Sequence, residues 1–135
     1  YHMHNLKDWI ARIYACPDME DLLDRDVFQS SMLEMTDIWD GEVLRHFLGP
    51  DGEVFVPAGP RGKEGCLVFS LNMDSFNPFG NMQNRKHVSV STIYMTCLNL
   101  LHDIQNKMEN IFLVGIIPGP NEPSLTHINH IIKPL

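Results

Sequence analysis

The sequence has 135 residues, of which 44% are apolar, so it can form one folded domain and does not have the composition of a disordered segment. The formal net charge of −7 is unevenly distributed, because residues 1–57 carry four basic and twelve acidic side chains and residues 58–135 carry six basic and five acidic ones. Proteins bind phosphate backbones through clustered Lys and Arg, and the sequence contains no such cluster. If the protein binds DNA, its main basic surface must lie outside these residues.

The cysteines, the length of the apolar runs and the chain ends indicate what kind of protein this is. The three cysteines are far apart and form no CxxC pair, which favours reduced thiols in an intracellular protein. No apolar run approaches the roughly 20 residues that a membrane-spanning helix needs. The sequence opens on Tyr1 and closes directly after an apolar run, so we expect a piece of a longer protein, although a processed chain would look the same.

The acidic first part, residues 1–57, is predicted to be a helical lead-in that packs against another structure. Asn5 is a suitable N-cap for a helix over residues 5–15, in which apolar side chains recur at helical spacing. The apolar positions of this stripe are Leu6, Trp9, Ile10, Ile13 and Tyr14. The further elements expected here are a short helix from Pro17, a short helix after Asp40 and a short strand over residues 53–56.

The second part, residues 58–135, begins in a loop rich in Gly and Pro, where we place the organisational boundary. Three strands are predicted from alternation and β-branched composition, and Ser124 can cap a helix after them. The predicted strands cover residues 66–76, 88–98 and 111–117. The order indicates an α+β fold, in which a helical lead-in is followed by a three-stranded antiparallel meander and the start of a helix.

Asp74 is the candidate site residue. It lies near the end of the first predicted strand, on the face that Ser70 and Asn72 share, where a carboxylate could hold a divalent cation. Two-metal phosphoryl transfer needs several carboxylates within about 4 Å of the paired metal ions, so Asp74 alone cannot form that site. The alternative from spacing alone is that Asp74 caps the turn that follows.

His127 and His130 are a second pair to consider, because their i, i+3 spacing on a helix would let them share a metal ion. No Cys or carboxylate lies at the spacing of a zinc finger from them. A solvated helix face is therefore the preferred interpretation of the pair.

Several long segments resemble a known family. The segments CLVFSLNMDSFNPFGN (66–81) and ENIFLVGIIPGPNEPSLTHINHIIKPL (109–135) are similar to transposases of CACTA-type and, more closely, Plavaka-type DNA transposons of fungi. Their D-x-F-N-P-F-G and I-P-G-P-x-x-P elements are long and specific. Further similar segments are LKDWIARIYACPDMEDLLD (6–24), IWDGEVLRHFLGPDG (38–52) and KHVSVSTIYMTCLNL (86–100). The resemblance thus covers nearly the whole chain.

The resemblance implies a fold and a chemistry that composition and spacing do not show. The catalytic domain of the family has a ribonuclease H-like fold, and its first catalytic Asp lies on the first strand of an antiparallel meander, at the position of Asp74. Asp74 is thereby implied to be a catalytic residue and a ligand of Mg²⁺ or Mn²⁺, which would activate a water or a DNA 3′-hydroxyl. The remaining acids of the family follow the helix that begins near Ser124, so the chain would be a truncated N-terminal part of the domain. The implied partner is the DNA of transposon ends, and the implied location is the nucleus.

Two functions follow from these observations. One is a fragment of a DNA transposase, inactive on its own and without tight metal binding, because one carboxylate and waters hold a metal poorly. The other is a host-retained, non-catalytic interaction or DNA-tethering module, for which the acidic first part is better suited to protein contacts than to DNA. We also expect the isolated chain to be marginally stable and to self-associate through an uncapped sheet edge.

Overall fold

The computed structural model describes residues 5–28, 35–57, 65–78, 89–119 and 124–133. These residues form a mixed α+β structure, as the sequence predicts. The helices are α1 (Leu6–Tyr14), α2 (Met19–Leu23), α3 (Glu42–Arg45), α4 (His102–Gln105) and α5 (Leu125–Ile132), and the strands are β1 (Phe69–Phe76), β2 (Val90–Cys97) and β3 (Ile111–Ile117). Single turns of 3₁₀ helix at Ile38–Asp40 and Met108–Asn110 precede α3 and β3.

The three strands form one antiparallel sheet in the order β1-β2-β3, which confirms the predicted meander. Between β2 and β3 the pairing changes from Ile93 opposite Gly115 to Tyr94 opposite Leu113, so Val114 is an extra, bulged residue. A bulge bends the strand that carries it and increases its local twist. The first predicted strand began three residues too early, the second extended past both ends of β2, and the third matches β3. The short α4 turn between β2 and β3 was not predicted.

Helix α1 covers part of one face of the sheet, where Leu71 and Met73 of β1 stay 47% exposed. The side-chain oxygen of Asn5 accepts a hydrogen bond from the backbone N–H of Lys7 at 2.9 Å, which confirms the predicted cap. Trp9 and Ile13 on the apolar stripe are buried. The Trp9 ring lies 6.1 Å from that of Phe69 on β1 and 5.4 Å from that of Phe112 on β3, measured between centroids. The first core therefore lies between the stripe of α1 and one face of all three strands.

A second, smaller core is built by residues that follow α2 together with the segment around α3. Its buried members are Val27, Trp39 and Val56, and partly buried side chains from the sheet segment pack against them. Helix α2 begins at Met19 rather than at the predicted Pro17, because Asp18 has a left-handed backbone (φ 64°) that cannot be part of a helix.

The predicted strand over residues 53–56 is reduced to a single antiparallel bridge between Leu48 and Val54. The backbone N–H of Phe55 also donates to the carbonyl of Phe47 at 2.8 Å, and the two rings pack edge to face. One bridge across a short turn is too little to form a strand of its own, because an isolated hairpin is at best marginally stable.

The end of β2 connects the two cores. Asn99 is completely buried, and its side-chain oxygen accepts from the Val68 backbone N–H at 2.8 Å while its amide nitrogen donates to the Cys66 carbonyl at 3.0 Å. Its own carbonyl accepts from Arg25 Nε at 3.1 Å. One residue earlier, the carbonyl of Leu98 accepts from the indole nitrogen of Trp39 at 2.8 Å. Leu98 and Asn99 thus hold the chain leading into β1 and the lead-in together.

The proposed boundary between the lead-in and the second part falls mainly on residues 58–64, which lie outside the described residues. On either side of it, Trp9, Ile13 and Leu23 share the first core with the sheet. The lead-in therefore packs on the sheet of the same chain.

Replacing Asn99 by Ala should lower the free energy of unfolding by about 2–4 kcal/mol, because two hydrogen bonds to the backbone and a weak one from the Cys97 thiol at 3.9 Å are lost. The Val68 N–H and the Cys66 carbonyl then remain without these partners. Urea denaturation followed by circular dichroism measures the difference. The control is Asn129→Ala, at an exposed position on α5, which should change the value by less than about 0.5 kcal/mol. Equal effects of the two substitutions would contradict the role of Asn99.

Gly119 should not tolerate a side chain, because a Cβ atom there would overlap the backbone carbonyl of Ser89, the residue before β2. Gly119→Ala is expected to destabilise the fold by about 1–3 kcal/mol, since backbone atoms must move apart. Gly115→Ala is the matched control, because a Cβ on Gly115 meets no atom within 4 Å. The midpoint of thermal unfolding is measured for both variants. An unchanged midpoint for Gly119→Ala would refute the close approach of Gly119 to Ser89.

Candidate functional site

Polar side chains occupy the face of β1 and β2 that is turned away from α1. The strand register places Ser70 opposite Thr96, Asn72 opposite Tyr94 and Asp74 opposite Thr92. The hydroxyl oxygens of Ser70 and Thr96 are 2.6 Å apart, and the Asn72 side-chain nitrogen donates to Ser70 Oγ at 3.1 Å. Since Phe69 of β1 contacts Trp9, the alternate residues Ser70, Asn72 and Asp74 lie on the opposite face, as the alternation predicts.

Asp74 lies near the end of β1, as predicted, because the strand continues for two more residues to Phe76. Its side chain is exposed, and among the described residues none donates a hydrogen bond to its carboxylate. The hydroxyl of Thr92 on the neighbouring strand donates to the Asp74 backbone carbonyl at 3.3 Å. The turn-cap alternative requires backbone N–H groups of residues 76–77 to donate to the carboxylate, and the described residues show no such bond.

The described residues contain no group of three or more His, Cys, Asp or Glu side chains that could hold a metal ion. Asp74 thus contributes one carboxylate, with the hydroxyl of Thr92 and the amide of Asn72 as its polar neighbours on the same face. A carboxylate oxygen is the kind of ligand that Mg²⁺ and Mn²⁺ prefer, but Mg²⁺ sites need further oxygen ligands for octahedral geometry. The part of the chain that the structure describes therefore offers a single anchoring ligand.

His127 and His130 are both exposed on α5. The backbone N–H of His127 donates to Ser124 Oγ at 3.4 Å, so Ser124 caps α5 as predicted. No third ligand accompanies the two imidazoles among the described residues.

Thr92 and Tyr94 are members of the polar face that the sequence did not identify. Alternation within residues 88–98 shows which side chains share a face, but it does not show which of them lies opposite Asp74. That pairing depends on strand register, and a slip of one residue would place Ser91 or Ile93 there instead. To predict this register from the sequence, one would need the geometry of the connection between β1 and β2. Most of that connection lies outside the described residues.

The basic residues that come nearest to forming a DNA-binding cluster are Arg61, Lys63, Arg85 and Lys86, and all of them lie outside the described residues. No described helix is both long enough and apolar enough to cross a membrane.

Comparison with known proteins found no match: no family model, no curated protein and no solved structure is significantly similar to the chain.

If the Asp74 carboxylate has no structural partner, Asp74→Ala should change the free energy of unfolding by less than about 0.5 kcal/mol. A turn cap would instead lose on the order of 1 kcal/mol. Asp40→Ala serves as a positive control, because Asp40 Oδ2 accepts from the backbone N–H groups of Thr36 and Asp37 at 2.8 and 2.9 Å. Chemical denaturation should therefore show a clear loss for Asp40→Ala, and a similar loss for Asp74→Ala would restore the turn-cap interpretation.

Proposed function

We propose that the chain is part of a CACTA/Plavaka-type DNA transposase, in which Asp74 is the first of the carboxylates that hold the catalytic metal ions. The observation that carries this proposal is the exposed Asp74 carboxylate, which has no described hydrogen-bond donor and lies on the polar face of the first strand of an antiparallel meander. This is the place that the resemblance assigns to the first catalytic acid. The ribonuclease H-like relationship belongs to the same proposal.

A metal ligand has to be accessible and rigidly held, and the surroundings of Asp74 support both requirements. A carboxylate that accepts backbone hydrogen bonds has fewer lone pairs left for a cation, whereas among the described residues none donates to the Asp74 carboxylate. The backbone of Asp74 is paired with β2 in regular register on both sides of Asp74. Sites on strands hold their geometry better than sites on loops.

The chemistry would come from Mg²⁺ or Mn²⁺, which stabilises the entering and leaving oxygens of a phosphodiester during strand cleavage and transfer. Asp74 would hold one side of that ion, and its neighbours Asn72 and Thr92 would line the same face. The further carboxylates would come from the elements that follow α5 in the family that the chain resembles. With Asp74 as the single carboxylate of the site among the described residues, the chain would bind the metal weakly and would be inactive alone.

A second candidate function, a non-catalytic interaction or tethering module, is favoured by the surface of residues 35–57. This segment carries five aspartate and glutamate side chains but only one side chain that is lysine or arginine. It also exposes large apolar side chains, which in soluble proteins mark protein contacts when they are concentrated. The most exposed of these are Met35, Val43, Leu48, Ile38 and Phe47. Such a surface suits a protein partner better than a phosphate backbone.

Addition of Mn²⁺ at millimolar concentrations should broaden the amide resonances of residues around Asp74 and Thr92, because a paramagnetic ion relaxes nearby nuclei. Asp74→Asn should abolish this broadening without changing the fold, since the neutral amide binds the ion far less well. The matched control is Asp103→Asn, at an exposed carboxylate on α4. Broadening that is equally strong around Asp103 would show that the ion has no preference for the proposed site.

The catalytic role requires a full-length relative that carries the remaining acids. There, Asp74→Asn at the equivalent position should abolish Mg²⁺-dependent cleavage of a labelled transposon-end duplex while DNA binding persists, because the carboxylate acts on the metal and not on DNA affinity. Cleavage that survives the substitution would refute the role of Asp74. The interaction module would be favoured instead if no variant cleaved DNA and if substitution of Val43 or Phe47 abolished binding to a protein partner.

A further inference from the structure

The outer edge of β3 is an open pairing surface. Strand β3 ends the order β1-β2-β3, so no described strand pairs with its second edge. Its sequence, Ile111–Ile117, is apolar throughout apart from one glycine and carries no charge. Soluble proteins protect such edges with charged residues, prolines or cover, because an uncharged open edge pairs with other strands.

A groove of about 360 Å³ lies beside the first three residues of this edge, between β3 and the start of α1. Its floor is formed where Trp9 packs on Phe112 at 5.4 Å. Its rim carries Asp8 and Arg12, which lie before and after Trp9 on α1 and are both exposed. Neither charged group forms an ion pair with a described residue.

We propose that a second copy of this chain pairs its own β3 antiparallel to this edge, about a two-fold axis near Phe112. The bulge at Val114 limits regular pairing to Ile111–Leu113, which is the stretch that borders the groove. The two sheets then form one continuous six-stranded sheet across the axis, given the three strands in each copy.

The charges beside the edge favour a second copy over another kind of strand. A two-fold interface places the same surface on both sides, so it must be complementary to itself. With the axis near Phe112, Asp8 of one copy faces Arg12 of the other, and the reverse pair forms on the opposite side of the axis. One acidic and one basic side chain at i, i+4 on the rim satisfy this requirement, whereas a rim of one sign would repel its own copy.

The other edge of the sheet is less suited to the same role. Strand β1 carries polar residues at Ser70, Asn72, Asp74 and Ser75, so an added strand would bury fewer apolar side chains there. The pairing through β3 does not depend on Asp74 and is independent of the proposed catalytic function.

Sedimentation equilibrium of the whole chain should show a monomer–dimer equilibrium that weakens as salt is added, because two ion pairs lie at the rim. Leu113→Lys should weaken the dimer by at least about tenfold, since a charge on the edge opposes strand pairing. Leu71→Lys is the matched control, because it places the same charge on a leucine that is 47% exposed on the opposite edge strand. It should leave the dimer unchanged.

A charge exchange tests the orientation. Asp8→Arg alone should weaken the dimer about tenfold, because two arginines then face each other on each side of the axis, and adding Arg12→Asp should restore it. Circular dichroism of each variant verifies that α1 and the sheet remain folded. A chain that stays monomeric at the highest soluble concentration, or assembles beyond a dimer, would overturn the proposal. So would a Leu71→Lys effect as large as that of Leu113→Lys, or a double exchange that restores nothing.

Discussion

The buried amide of Asn99 is the interaction on which the arrangement of the molecule depends. It satisfies one backbone donor and one backbone acceptor of the chain that enters β1, and the adjoining carbonyls of Leu98 and Asn99 receive Trp39 and Arg25 from the lead-in. A buried amide with every partner in place defines one geometry, because any displacement leaves polar groups unsatisfied in a dry environment. The two cores meet at this point, and among the described residues no ion pair joins them.

The position of Asp74 follows from this anchoring. Asn99 sets where Val68 lies relative to the end of β2, and the register Phe69 opposite Cys97 follows directly from it. Side chains alternate between faces along a strand, so a slip of one residue would turn Asp74 towards α1 and bring an apolar side chain to the polar face. The placement of the Asp74 carboxylate on the polar face is thus tied to an amide beyond the far end of the neighbouring strand.

Local patterns predicted those elements whose cause is local. The stripe that contains Trp9, the cap at Asn5 and the alternation of β1 each depend on residues within a few positions of one another, and all were predicted correctly. The delayed start of α2 depends on one residue, Asp18, in a backbone conformation that L-residues rarely adopt. Neither the partner of Asp74 across the sheet nor the role of Asn99 could be predicted, because both depend on contacts between segments far apart in the chain. The metal chemistry proposed for Asp74 rests on the resemblance and not on any such pattern.

The hydrogen bonds at the end of β2 also bear on how the chain acquires its structure. They join residues separated by 74 positions between Arg25 and Asn99 and by 59 positions between Trp39 and Leu98. Closing loops of this length costs conformational entropy before the bonds offset it, so these contacts are poor starting points for folding. The strands of the meander pair over shorter separations and can form first, whereas the packing of α1 on the sheet and the second core both depend on contacts between distant segments. During synthesis, Trp39 and Arg25 therefore leave the ribosome long before the carbonyls that receive them exist.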